Sequence, residues 1–336
     1  MSIKTKFKQM VKQLAAKHLK IQSRLPILFV HVPKTAGTSF RKAAMQSTQI
    51  DHVLCDYGKD NETTTPEINK ANYYSNEVVA VDDVLKNHEN YVLTGHFSVD
   101  RYKRLFYPYE IVIFIRNPVD RVLSNYYHKQ RQGQFDDSIE DFIQTNSADN
   151  LQLKQFGDLA LEYFGFIGIS DRYEDSIALV NGLYSLDLEV LALNLNPEKT
   201  SSSYVIEDDI TRAISELNSR ETELYKTAEK LFLSRLRYKN VKRSLYGAWR
   251  FENKLKIKGR AYRAYSNSPV ELHLQVDGRY LAKATASLYD PIPSDVKQPL
   301  EGYIGFEFDL SELPTKTGNM TISAADTNEP LFNLEQ

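Results

Sequence analysis

One cysteine, Cys55, and one tryptophan occur among the 336 residues. A single thiol excludes an internal disulfide framework and any cysteine-built zinc site. No stretch approaches the ~18 consecutive apolar residues that span a bilayer. Residues 1–24 also lack the continuous apolar core of a secretory signal, so a cytoplasmic chain is expected. Charge of one sign is missing too: 42 basic against 44 acidic residues leave a net charge of −2. That balance argues against a nucleic-acid partner. No internal repeat or low-complexity tract is present. What remains is an ordinary globular composition, 42% hydrophobic and 26% charged, in a chain long enough for two domains.

The charge is uneven along the chain. Residues 1–24 hold six lysines, one arginine and no acid, with Ile3, Phe7, Met10, Leu14, His18 and Ile21 at helical spacing. This pattern predicts a basic amphipathic helix, docked on its own domain or resting on an anionic membrane surface. Residues 25–33 read as a buried strand and 39–47 as a helix. Residues 56–76, rich in Asn, Thr and Tyr and including Asp60 and Glu62, read as an exposed loop able to cover a site. A helix over 81–88 and strands over 91–94 and 110–115 follow. Asn117 can cap the next helix and Pro118 suits its first turn, with an end near Gln132. Residues 138–183 read as mostly helical, interrupted near "GFIGISDRYEDS", and 207–218 and 221–237 as two more helices. This alternation predicts an α/β fold over residues 25–240: a P-loop-like parallel sheet flanked by helices. From Leu255 the apolar pattern has period two, and Asp277-Gly278 marks a hairpin. Residues 250–336 are therefore expected to form an antiparallel β-sandwich.

The segment "LPILFVHVPKTAGTSF", residues 25–40, joins strand to helix through a polar loop. It is not the G-x-x-x-x-G-K-[ST] loop of ATP- and GTP-binding proteins, because Lys34 precedes Gly37. Ala36 and Gly37 allow close backbone approach, a helix N-terminus offers N–H groups to an anion, and Thr35, Thr38 and Ser39 add hydroxyls. Lys34 adds a mobile positive charge. In "IRNPVDRVLSNYYH", Arg116 stands at the carboxyl end of a strand, where open α/β sheets bind ligands, and Ser124 follows eight residues later. Arg116 can clasp a second phosphate with its planar fork. Arg121, Ser124 or Asn125, and His128 are expected on one helix face.

At these two motifs the chain resembles the sulfotransferases that use 3′-phosphoadenosine 5′-phosphosulfate. "HVPKTAGTSF" is similar to the carbohydrate branch, such as the heparan sulfate 2-O- and 6-O-sulfotransferases. The resemblance covers roughly residues 26–235 and implies sulfuryl transfer to a hydroxyl of a sugar or glycan, without a metal ion. It implies that Lys34, Thr35, Ala36, Gly37, Thr38 and Ser39 hold the 5′-phosphosulfate, and that Arg116 and Ser124 hold the 3′-phosphate. The polar loop "NPEKTSSS" would close over that phosphate through Lys199, with Thr200 and Ser201 beside it. Branch members carry a histidine base in a "GH" segment, which here is His96 of "LTGHF". His31 is the rival base, and Asp100 and Arg101 could contact the acceptor. The period-two region resembles β-sandwich modules appended to bacterial glycan-modifying enzymes. Its tyrosines, Tyr262, Tyr265, Tyr280 and Tyr289, could be core, could stack on sugars, or could join copies of the chain. A kinase-like phosphotransferase and a non-catalytic glycan binder are the alternatives.

Overall fold

The computed structural model describes residues 25–75, 80–145, 148–191, 207–239, 245–311 and 318–334. The basic segment 1–24 and the loop carrying Lys199, Thr200 and Ser201 lie outside the described residues.

Five short apolar runs form one parallel sheet: β1 (Ile27–Val30), β2 (His52–Asp56), β3 (Tyr91–Gly95), β4 (Ile111–Ile115) and β5 (Phe166–Ile169). Their order is β2-β3-β1-β4-β5, and every pair is parallel. Strands covered on both faces must be apolar on both faces, and β1, β3, β4 and β5 are buried at every position. β5 is the interruption in the stretch expected to be mostly helical.

The helices are α1 (Gly37–Gln46), α2 (Pro66–Asn69), α3 (Ala80–Lys86), α4 (Pro118–Arg131), α5 (Ile139–Ile143), α6 (Leu153–Phe156), α7 (Tyr173–Tyr184), α8 (Asp208–Leu217) and α9 (Ser219–Arg237). α4 starts as its sequence dictates: the Asn117 side chain accepts from Val119 N–H at 3.0 Å, and Pro118 occupies the first turn. α1 is fastened to the sheet by Phe40, whose ring stacks on Phe29 at 3.9 Å and meets Phe114 edge-on. Burying such a ring contributes about 2 kcal/mol.

The 56–76 segment differs from its expected form. It holds α2 and a following π-helical turn, Lys70–Tyr74, with Ile68 and Ala71 buried. Residues 59–63 are exposed, as expected, but Tyr73 (2.8 Å) and Asn72 (3.2 Å) turn inward to donate to Asp56, which also accepts from Tyr102 (2.6 Å) outside the segment.

The C-terminal region contributes β6 (Leu245–Asn253), β7 (Lys256–Arg263), β8 (Glu271–Val276), β9 (Arg279–Thr285), β10 (Leu288–Tyr289), β11 (Tyr303–Asp309), β12 (Met320–Ala324) and β13 (Phe332–Asn333). They make a five-stranded sheet, β10-β11-β7-β6-β13, and a three-stranded one, β12-β8-β9. All pairs are antiparallel except β13 on β6. Asp277 (φ 48°) and Gly278 (φ 76°) make the predicted hairpin turn between β8 and β9. One apolar core, with Trp249, Phe306, Leu272 and Ile322, fills the space between the two sheets. The first sheet's other face packs on the α/β part. There Tyr246 donates to Gly165 O (3.0 Å) and Tyr262 to Tyr163 O (3.3 Å), and both rings belong to the first core. Tyr262 is therefore fully buried and Tyr265 leans on Tyr109, whereas Tyr280 and Tyr289 are exposed.

Candidate functional site

In this strand order the chain leaves β1 toward one side of the sheet and reaches β4 on the other. A crevice at the carboxyl edge beside β1 results, the usual ligand position in such sheets. The residues just past the strand ends are His31, Tyr57, His96, Arg116 and Ser170.

The loop from Val32 to Thr38 takes its shape from backbone conformation. Lys34 (φ 70°) and Ala36 (φ 66°) are both left-handed, and Ala36 caps α1 without a side-chain hydrogen bond. Left-handed residues at alternate positions turn successive N–H groups into an anion-binding concavity at the start of α1. The Thr35 hydroxyl donates to Val32 O at 2.8 Å and is fully buried. It braces the loop, leaving its backbone as its contribution to a ligand. Gly37 is required sterically: a Cβ there would lie 1.9 Å from the His31 ring. Thr38 is half-buried and Ser39 buried.

On the β4 side the loop meets a group of cations. Burial, then the charges of Arg131 and Arg116, lowers the Lys34 pKa to about 8. The His128 pKa is also lowered, by burial and then by Lys34 and Arg131. The Lys34 ammonium is thus within electrostatic reach of Arg116, Arg131 and His128. Ser124, His128 and Arg131 follow i, i+4, i+7 spacing on α4 and share its face. Arg116 Nε lies 3.5 Å from Asp171. Its backbone is gripped twice by buried Gln152, which accepts from Arg116 N–H (2.8 Å) and donates to Arg116 O (2.9 Å). Gln152 also donates to buried Glu221 (3.0 Å), which faces Arg121 Nε at 3.9 Å. Arg121 is thus fully buried beneath the site and binds Ala148 O at 2.9 Å. It shares a helix face with Ser124 and His128 by spacing, but its side chain is fully buried while theirs are half-buried.

On the β2–β3 side stands a trio of rings. His31 and Tyr57 share a hydrogen bond of 2.7 Å, and the His96 ring lies 4.6 Å from His31 and 4.7 Å from Tyr57. His31 is enclosed, 5% exposed, and burial followed by the His96, Arg41 and Lys34 charges lowers its pKa to about 3. His96 opens to solvent, yet the protein around it and the Arg41 guanidinium lower its pKa to about 4. Both imidazoles are neutral at pH 7. His96 can take a proton from a ligand, while His31 spaces the ring trio and the loop. Gly95, before His96, admits no side chain: a Cβ would meet Asp56 O at 1.7 Å. Asp100 is bound to Lys103 (2.6 Å) and Arg101 to Asp56 (3.0 Å).

Sequence reasoning missed Arg131, Tyr57 and Arg41. Arg131 was readable as i+7 from Ser124, and Arg41 as i+4 from Gly37. Tyr57 follows β2 as His96 follows β3, but that equivalence appears only once the strands are paired. A cavity of about 350 Å³ lies elsewhere, between α9 and β6, lined by Phe166, Arg235, Tyr246 and Trp249. No residue of the crevice lines it.

Among curated proteins nothing matches the chain. Among solved structures, a sulfotransferase from Alicyclobacillus acidocaldarius is 17% identical, over 64% of this chain and 95% of that one, with a TM-score of 0.30. The family model described as the sulfotransferase family matches residues 17–255, which take in the whole parallel sheet and both sides of its crevice. The chain belongs to the sulfotransferase family.

Proposed function

We propose that the protein transfers a sulfuryl group from 3′-phosphoadenosine 5′-phosphosulfate to a hydroxyl on a sugar or glycan. The observation that carries this reading is the strand-to-helix loop with Lys34 and Ala36 at positive φ, beside a second strand end bearing Arg116, with Arg116, Arg131 and His128 in electrostatic reach of Lys34. A neutral histidine, His96, lies on the other side. That donor set suits a ligand with two separate phosphate-type groups. When bound, the donor supplies the sulfuryl group and a phosphate leaving group.

The chain's own residues then have distinct tasks. The N–H groups of 34–39 and the Lys34 ammonium hold the 5′ end, and Lys34 neutralises charge building on the departing phosphate oxygen. Arg116 and Ser124 select the 3′-phosphate, with Arg131 and His128 completing the positive field. His96 accepts the acceptor's proton as its oxygen bonds to sulfur and the bond from sulfur to the phosphate oxygen breaks. A base with a pKa of about 4 is weak, but a bound polyanion favours the imidazolium and strengthens it.

The test is donor turnover against a panel of glycans. His96→Asn should reduce turnover by about 10²-fold or more, the usual scale for a positioned base, with product-nucleotide affinity within a factor of two or so of wild type. Unchanged turnover would remove His96 from this role.

A further inference from the structure

Arg41 sits in the second turn of α1, four residues after Gly37, on the face that meets His31. Its guanidinium carbon lies 5.1 Å from the centre of the Tyr57 ring, which also has His96 as a neighbour at 4.7 Å. The guanidinium also touches the Cys55 thiol. Yet Arg41 Nε is buried with no hydrogen-bond partner, and among the described residues no acidic side chain pairs with it. The neighbouring cations are provided for: Arg101 lies on Asp56, and Lys103 on Asp100 and Asp158. A half-buried guanidinium without an anion is costly to maintain. A ligand that brings the anion would remove that cost and form charge-assisted hydrogen bonds.

The position says which ligand. Arg116, His128 and Arg131 lie on or after β4, whereas Arg41 stands on the β2–β3 side, beside Tyr57, Cys55 and His96. We propose that Arg41 recognises an anionic group on the acceptor, a carboxylate or a sulfate near the hydroxyl that is modified. This rests on the sulfuryl-transfer reading above and narrows its acceptor to acidic sugars.

The test uses the whole chain saturated with 3′-phosphoadenosine 5′-phosphate, so that no sulfuryl group is present to occupy Arg41. It is titrated with p-nitrophenyl β-D-glucuronide, the neutral p-nitrophenyl β-D-glucoside and a sulfated form of that glucoside. At least one anionic glycoside should bind about tenfold or more tightly than the neutral one, and which one does so identifies the anion. Arg41→Gln should abolish the difference and Arg41→Lys retain part of it, with nucleotide affinity unchanged in both variants, which also reports that they are folded. Equal or undetectable affinity for all three glycosides, or a preference that survives Arg41→Gln, would overturn the inference. So would loss of nucleotide affinity in Arg41→Gln, since Arg41 would then serve the donor. If the wild-type chain fails to bind the nucleotide at all, the sulfuryl-transfer reading itself fails.

Discussion

His31 lies between the two halves of the site. Its ring fills the space that Gly37 leaves open, bonds Tyr57 and packs against His96. A methyl group at position 37 would drive into that ring, so Gly37→Ala should displace the anion loop and the base together. The expected outcome is loss of nucleotide affinity by about tenfold or more with the overall fold retained, read by titration beside circular dichroism. His31 also carries a pH signature. Its folded pKa, about 3, lies below the unfolded value of 6.5. Below pH 6.5 the unfolded chain takes up a proton that the folded chain refuses. Stability from this group is complete above pH 6.5 and declines as pH falls toward 3, by about 1.4 kcal/mol per unit. Denaturant titrations of His31→Gln between pH 7 and 4 should therefore show a shallower decline than wild type. An identical slope would contradict the burial of a neutral His31.

At the scale of elements, the site depends on two strand-to-helix junctions, β1–α1 and β4–α4. The second is held from below by Gln152, Glu221 and Arg121, contributed by three separate segments of chain. Glu221→Ala would leave Arg121 buried without its opposite charge, which costs about 3–5 kcal/mol. It would also free Gln152, so both conformational stability and nucleotide affinity should fall. Denaturant midpoints would measure the first effect, and an unchanged midpoint would show that the network is not structural. These junctions also show what the sequence makes legible. β1 and β4 are apolar runs, the first followed by a polar loop and the second by the Asn117 cap, and both were readable. β5 was not: Gly168, which allows the Phe114 ring to pass close by, interrupts its apolar run, and it sits among helices. The tyrosine-rich 56–76 segment is exposed over 59–63, but its helical half was not readable, because Asn72 and Tyr73 find their partner, Asp56, 16 and 17 residues away.

At the scale of the whole molecule, the parallel sheet and the C-terminal sheets meet across a continuous apolar contact rather than a linker. Period-two alternation distinguishes the two faces of β6 and β7 but does not reveal that both are covered, which is why Tyr262 could be read as a stacking platform. The two strand-to-helix junctions of the crevice were largely legible, since Lys34, Gly37 and Arg116 sit in short motifs at strand ends. On the β2–β3 side His96 was readable from its GH segment, but Tyr57 and Arg41 were not, because they come from separate elements joined only by sheet order. The central claim is that the cations around Lys34 recognise a nucleotide through its 3′-phosphate. Calorimetric titration with 3′-phosphoadenosine 5′-phosphate, beside 5′-AMP and magnesium–ATP, tests it most directly. Selective binding of the 3′-phosphorylated nucleotide, lost in Arg116→Ala, is the predicted result. Equal affinity for all three, or a preference for magnesium–ATP, would contradict it.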